Sequence, residues 1–191
     1  MITQKDINAV EVLALKEIEK YGSPTKIFFD LANRKGQEIA QTLRADKEIV
    51  AMGTRLMDIK LGECISKGKA KEHVKESSDE AKKILSKLGI SEEKKSKIIN
   101  CVEAHHNKKY SCIEAEVCAN ADCYRFLHPK GIFSYIMLLS SERQMPFEEI
   151  LEAVEEKMEE KHNILSLDMA KKELEPYYKE FKGIIKEIRA N

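Results

Sequence analysis

Apolar residues recur every three or four positions along most of the chain, which is the spacing of amphipathic α-helices. Val10, Leu13 and Ile18 follow this spacing near the start, and Ile150 and Val154 follow it near the end. The alternation typical of a strand is sustained nowhere in the sequence. The pattern therefore predicts an all-α protein. Helix-breaking residues divide it into about nine helices, at residues 4–21, 24–44, 46–58, 70–88, 91–106, 112–127, 131–141, 146–161 and 164–189.

Local chemistry supports several of these boundaries. Thr3 and Asp6 resemble an N-terminal capping pair, and Ser91 precedes two glutamates at the positive end of a predicted helix. Gly89 is a natural helix stop, and Pro146 fits a helix start.

The length of 191 residues suits one well-buried core and argues against a second independent domain. We expect an N-terminal helix within residues 1–23, a helical core within residues 24–141, and a C-terminal helical extension packed on that core within residues 146–191. The extension is expected either to cover the mouth of a pocket or to pair two subunits, so a homodimer is an open alternative.

Composition limits the classes of partner. Lys plus Arg and Asp plus Glu both number 33, so the formal net charge is zero and no strong field favours a nucleic acid or an anionic membrane. The sequence shows no signal segment and no long apolar span. The five cysteines are odd in number and never spaced as CxxC. These features are typical of a soluble protein of a reducing cytosol.

Asp58 ends the apolar segment IVAMGTRLMD, where a buried carboxylate would need a cation or strong hydrogen-bond donors. The simpler alternative is that Asp58 caps the next turn or pairs with Lys60 at the surface.

His73 begins a later helix whose apolar face starts beside it, so its ring could face the same interior as Asp58. The alternative is a partly exposed histidine at a helix start.

His105 and His106 close the helix EEKKSKIINCVEAHH, and Asp122 lies in CIEAEVCANADCYRFL. Adjacent side chains on a regular helix diverge by about 100°, so two ligands from this histidine pair require the helix to end or turn there. Glu114 is either an acceptor that orients a liganding imidazole or an ordinary exposed residue, and exposure is the simpler expectation. Cys118 is expected to be small core filler.

Taken in order, these residues resemble the HD superfamily of metal-dependent phosphohydrolases. The resemblance spans about residues 24–128 and rests on Asp58 in LMDI, His73 in EHVKESSDEAKKILSKLG, the pair His105-His106 in IINCVEAHH, and Asp122 in EAEVCANAD. It implies a single-domain helical bundle of the HD type. Order, spacing and helix context together carry it, since no single motif would suffice.

The sequence also departs from the family pattern. Met57 stands where the family has the histidine of its His-Asp doublet, and Phe28, or failing that Leu31, stands where its first histidine should be. Asn120 replaces the first acid of a D-A-D stretch. The ligands of a first metal are therefore reduced to Asp58 and Asp122, and the apolar Phe28 and Met57 are expected to fill the space of that ion.

The second half of the family's site is complete. In members with two metals, the second ion is held by residues that match Asp58, His73, His105 and His106 without substitution. The resemblance thus implies one divalent ion (Mn, Fe, Zn or Ni) on these four residues, with Asp122 close by, directly or through water.

Two functions follow from the resemblance. The first is hydrolysis of a nucleotide or another small phosphate ester, with Asp58 or Asp122 accepting a proton and Arg55 or Lys60 balancing phosphate charge. Solvated positions are the simpler expectation for these two cations. The second function is an inactive HD-like ligand-binding or regulatory module.

Overall fold

The computed structural model describes residues 1–190. Within them the chain forms ten α-helices and no strand, which confirms the all-α prediction and adds one helix to the expected nine. The helices are α1 Gln4–Tyr21, α2 Lys26–Leu43, α3 Lys47–Leu56, α4 Leu61–Ser66, α5 His73–Ser86, α6 Glu92–Ala104, α7 Ile113–Leu127, α8 Pro129–Met137, α9 Phe147–Ile164 and α10 Asp168–Ala190.

The expected helix ends are mostly close to the observed ones. Thr3 and Asp6 form a reciprocal capping box at the start of α1, and α9 begins directly after Pro146. Ser91 is the N-cap residue of α6 and Glu92 and Glu93 lie in the first turn, as predicted, although the Ser91 side chain makes no capping hydrogen bond within the described part of the chain. The short helix α4 was not predicted, because it has only six residues.

Helix α7 is the centre of the bundle, and α2, α3, α6 and α9 pack around it. Its residues from Glu114 to Leu127 are buried on nearly every side, with the single partly exposed exception of Glu116. Small side chains let α3 come close: a Cβ added to Gly53 would lie 2.5 Å from Cys101 Cβ and 2.8 Å from Cys118 Sγ. Gly53 therefore fixes the distance of α3 from α6 and α7, and Cys118 is buried core as predicted.

This packing brings four segments together. The turn after α3, the start of α5, the end of α6 and the middle of α7 all meet beside α9, which lies beyond the stretch that carries the HD resemblance. Helix α10 packs on α7 and α9. In the described residues no helix is both long enough and apolar enough to cross a bilayer.

Candidate metal centre and cavity

Asp58 lies in the turn that follows α3 and is 5% exposed. Its Oδ2 accepts a hydrogen bond from Arg125 Nη1 at 2.6 Å, so the expected surface pair with Lys60 is wrong. Lys60 instead contacts Glu17 and Glu63. Burial raises the pKa of Asp58, but Arg125 together with His105 and His73 holds that pKa well below its usual value. Asp58 is therefore a buried carboxylate anion.

His73 and His105 are oriented by backbone carbonyls. His73 Nδ1 donates to the Ala70 carbonyl at 2.7 Å, and His105 Nδ1 donates to the Val102 carbonyl at 2.6 Å. Because a carbonyl only accepts, the Nδ1 atom of each ring carries a proton, and the neutral form of each ring therefore has its lone pair on Nε2. His105 is fully buried, whereas the His73 side chain is 13% exposed.

The two free nitrogens converge on one carboxylate oxygen. Asp58 Oδ1 lies 3.3 Å from His73 Nε2 and 3.6 Å from His105 Nε2. Within residues 1–190 neither Asp58 Oδ1 nor His105 Nε2 has a hydrogen-bond partner. Three acceptor atoms thus face one another in a buried space, and a cation is what would relieve their mutual repulsion.

His106 completes the histidine cluster. One ligand nitrogen from each of His73, His105 and His106 lies within 4.8 Å of the others. Helix α6 ends at Ala104, so the histidine pair follows the last regular turn, as two converging rings require, and their centroids are 4.2 Å apart. The structure therefore brings together all four residues of the predicted second-metal half.

The surroundings of His106 are ionic. Its Nδ1 lies 3.0 Å from both Glu160 Oε1 and Lys161 Nζ. A carboxylate only accepts and an ammonium only donates, so the ring nitrogen satisfies one of them at a time. When Nδ1 donates to Glu160, Nε2 is left with a lone pair. Burial lowers the pKa of His106 to about 4 and also lowers the pKa of His73, so both rings are neutral at pH 7.

Asp122 lies next to this cluster but is held by other groups. It is fully buried, with Oδ1 3.0 Å from Arg125 Nε and Oδ2 2.6 Å from Lys161 Nζ. Burial raises its pKa, but Arg125 and Lys161 bring the value well below the usual range. Its role as a metal ligand or proton acceptor stays a prediction, and both of its oxygens already face protein cations.

Arg125 and Lys161 are the site residues that the sequence did not reveal. Arg125 follows Asp122 by three positions on α7, a spacing that places both side chains on one helix face and was an available signal. Lys161 gave no such signal, because it lies among the glutamates and lysines of α9 where a solvated face is expected, yet it is 0% exposed. The space beside the two aspartates thus contains buried cations as well as apolar side chains.

A cavity of about 500 Å³ opens beside the histidines. Five cationic side chains and two carboxylates line it: Lys71, Arg125, Arg143, Lys157, Lys161, Asp58 and Glu160. Its apolar wall includes Phe28, whose ring lies 5.1 Å from the Phe126 ring and 6.3 Å from the Tyr135 ring. Phe28 therefore lines the cavity, whereas Leu31 and Met57 are buried and are not part of its wall.

Two further sequence expectations fail. Arg55 donates to Glu11 and Asn33, away from the histidines and outside the walls of this cavity. Glu114 is 5% exposed, and its Oε1 accepts from the backbone amide of Asp46, so it is neither solvent-exposed nor bonded to an imidazole.

The sequence matches no protein-family model and no curated protein. Solved structures do match. An HD-superfamily hydrolase from Bacillus thuringiensis superposes with a TM-score of 0.67 at 16% identity, covering 97% of this chain and 96% of that one. A protein from Lactobacillus plantarum superposes with a TM-score of 0.75 at 14% identity, covering 100% of this chain and 98% of that one. A predicted HD-superfamily hydrolase from an uncultured Thermotogales bacterium superposes with a TM-score of 0.60 at 14% identity, covering 80% of this chain and 84% of that one. This chain therefore has an HD-like fold.

Proposed function

We propose that this chain is a divalent-metal-dependent phosphohydrolase that acts on a nucleotide or another small phosphate ester, with one ion held by Asp58, His73, His105 and His106. The observation that carries the proposal is the convergence of Asp58 Oδ1 with the Nε2 atoms of His73 and His105, at 3.3 and 3.6 Å. Hydrogen bonds to backbone carbonyls fix both rings with their lone pairs toward that oxygen.

The donor set fits a borderline divalent ion. Three imidazole nitrogens and one carboxylate oxygen are ligands for Zn, Mn, Fe or Ni. The Nδ1 hydrogen bonds of the histidines are the outer contacts that usually orient metal-bound imidazoles. When bound, such an ion supplies Lewis-acid polarisation of a phosphoryl group.

The cavity suits an anionic ligand. Five cations against two carboxylates line it, although the whole chain has a formal net charge of zero. A concentration of positive charge in a cleft attracts anions and offsets the charge of a phosphate group. Lys71 and Arg143 have no acidic partner within the described residues, so both remain available to a ligand. These two residues replace Arg55 and Lys60 as the candidates for phosphate binding.

Other residues of the cavity contact the substrate and the reacting group. Phe28 and Tyr135 present an apolar wall to the non-phosphate part of the substrate. Asp58, the aspartate that lines the cavity, faces the reacting group, whereas Asp122 lies behind Arg125 and Lys161. Because Asp58 Oδ2 accepts from Arg125 and Oδ1 is assigned to the ion, we assign Asp58 as a ligand and not as the proton acceptor.

A second candidate is a binding module without turnover. It is favoured by the ion pairs of Asp122 with Arg125 and Lys161, which leave that aspartate no free oxygen, and by Phe28 in the cavity wall. Such a protein would bind the same phosphorylated ligands and release no phosphate.

A phosphatase screen with nucleotides and small phosphate esters, under added Mn²⁺, Fe²⁺ or Zn²⁺, distinguishes the two functions. We expect metal-dependent phosphate release that is lost in His105→Ala and retained in His162→Ala, a matched control whose ring contacts Glu175 away from the cavity. Absence of metal-dependent release from every substrate would contradict the hydrolase and favour the binding module.

A further inference from the structure

Four buried charges form a continuous array beside the histidines. Asp58 Oδ2 contacts Arg125 Nη1 at 2.6 Å, Arg125 Nε contacts Asp122 Oδ1 at 3.0 Å, and Asp122 Oδ2 contacts Lys161 Nζ at 2.6 Å. The four side chains are each at most 4% exposed. Negative and positive groups alternate, so each internal charge has a partner on both sides.

The array joins three parts of the fold. Asp58 comes from the turn after α3, Arg125 and Asp122 come from α7, and Lys161 comes from α9. Taking an ammonium and a guanidinium fully out of water is unfavourable unless carboxylates compensate them. Lys161 Nζ lies 2.6 Å from Asp122 Oδ2 and 3.3 Å from Glu160 Oε1, so two carboxylates flank the buried ammonium. Two buried positive charges therefore lie beside the site, with Arg125 against Asp58 and Lys161 against His106.

We propose that Arg125 and Lys161 act as built-in cations that keep Asp122 and the Oδ2 atom of Asp58 out of the metal centre, so that the centre accepts one divalent ion and not two. This inference rests on the proposed function, because it concerns the same ion site. Arg125 and Lys161 touch the aspartates from within the protein, so they are positioning residues.

Two physical effects support the exclusion of a second ion. Arg125 and Lys161 lie within 3.0 Å of the two oxygens of Asp122, and Asp58 Oδ2 accepts a hydrogen bond from Arg125, which leaves Asp58 Oδ1 as the one aspartate oxygen of the array without such a cation contact in the described residues. A second divalent ion would also be repelled by both cations at short range in a buried space. Lys161 Nζ lies 3.0 Å from His106 Nδ1 and 3.5 Å from His106 Nε2, so its charge also acts on the edge of the first ion site.

The test is to count bound Mn²⁺ per chain by equilibrium dialysis and elemental analysis, in the full-length protein stripped of metal and then saturated. We expect one ion in the wild type. Two bound ions would overturn this inference and leave the proposed function intact. No bound ion would overturn the proposed function and this inference with it. The wild-type count thus separates the two failures without any variant.

Variants then test Lys161 itself. We expect Lys161→Met to bind a second Mn²⁺ and to bind the first at least about tenfold more tightly, because a positive charge next to His106 is gone. Lys161→Arg should restore one ion. Lys35→Met is the matched control, since Lys35 is also largely buried but pairs with Glu173 near the start of α10, and neither residue lines the cavity. A Lys161→Met protein with one ion of wild-type affinity would overturn the role of Lys161.

Discussion

Replacement of Arg125 by methionine tests whether the buried charge array holds α3 against α7. Methionine keeps much of the length of the side chain and removes its charge. The side chains of Asp58 and Arg125 are both 4% exposed and lie 2.6 Å apart, so solvent cannot take over the lost contact. Breaking a buried pair in this way leaves an uncompensated charge and costs about 3–5 kcal/mol.

The expected loss is large enough to measure as a melting temperature. For a chain of 150–250 residues, 1 kcal/mol corresponds to about 2–4 °C. Arg125→Met should therefore lower Tm by roughly 6–20 °C in the presence of a chelator. Arg34→Met is the matched control, since Arg34 is 58% exposed and pairs with the 51%-exposed Glu38. An exposed pair contributes about 1 kcal/mol or less.

A double-mutant cycle assigns the loss to the ion pair. Urea unfolding of Arg125→Met, Asp58→Asn and the double variant should give a coupling free energy of about 2 kcal/mol or more, because the second substitution removes a charge that has already lost its partner. The reasoning is refuted if Arg125→Met loses less than about 1 kcal/mol, or if the two substitutions are additive.

Three further predictions concern separate features. Arg143→Ala should raise KM for the phosphorylated substrate several-fold with little change in kcat, whereas Lys75→Ala, outside the cavity, should leave both unchanged; steady-state kinetics checks this. Gly53→Ala should destabilise the fold by about 1–3 kcal/mol in urea unfolding, because its Cβ would overlap two cysteines, whereas Gly89→Ala should not, since nothing lies within 4 Å of its Cβ position. Thr3→Ala should cost about 1 kcal/mol through loss of the capping box, measured as a fall in Tm of about 2–4 °C.

Most of the helices could be predicted because their signals are local. Apolar periodicity and end signals such as the Thr3 and Asp6 capping box lie within a few residues of each other, so the sequence contains them directly. The short helix α4 was missed because its six residues are too few to establish a period. Gly62 lies within this helix, although glycine is a residue that usually ends helices. It is buried, and a Cβ at this position would lie 2.5 Å from the Ser23 carbonyl oxygen.

The convergence of Asp58, His73 and His105 was also predictable from the sequence, whereas the buried cations Arg125 and Lys161 were not. Asp58, His73 and His105 carry chemistry that is unusual at the ends of apolar helices, so order and spacing indicated a common site. Arg125 and Lys161 are ordinary residues of charged helices, and only the packing of α9 on α7 shows that they are buried. Burial of a lysine depends on which helix lies over it, and that is tertiary information.

The central claim is that Asp58, His73 and His105 hold an ion. Anomalous diffraction from crystals grown with Mn²⁺ or Zn²⁺, recorded on both sides of the metal absorption edge, tests this most directly. The account predicts one peak about 2.0–2.2 Å from Asp58 Oδ1 and from both Nε2 atoms. No peak at these atoms, or a peak between Asp58 and Asp122 in the place of the Arg125 contacts, would contradict it.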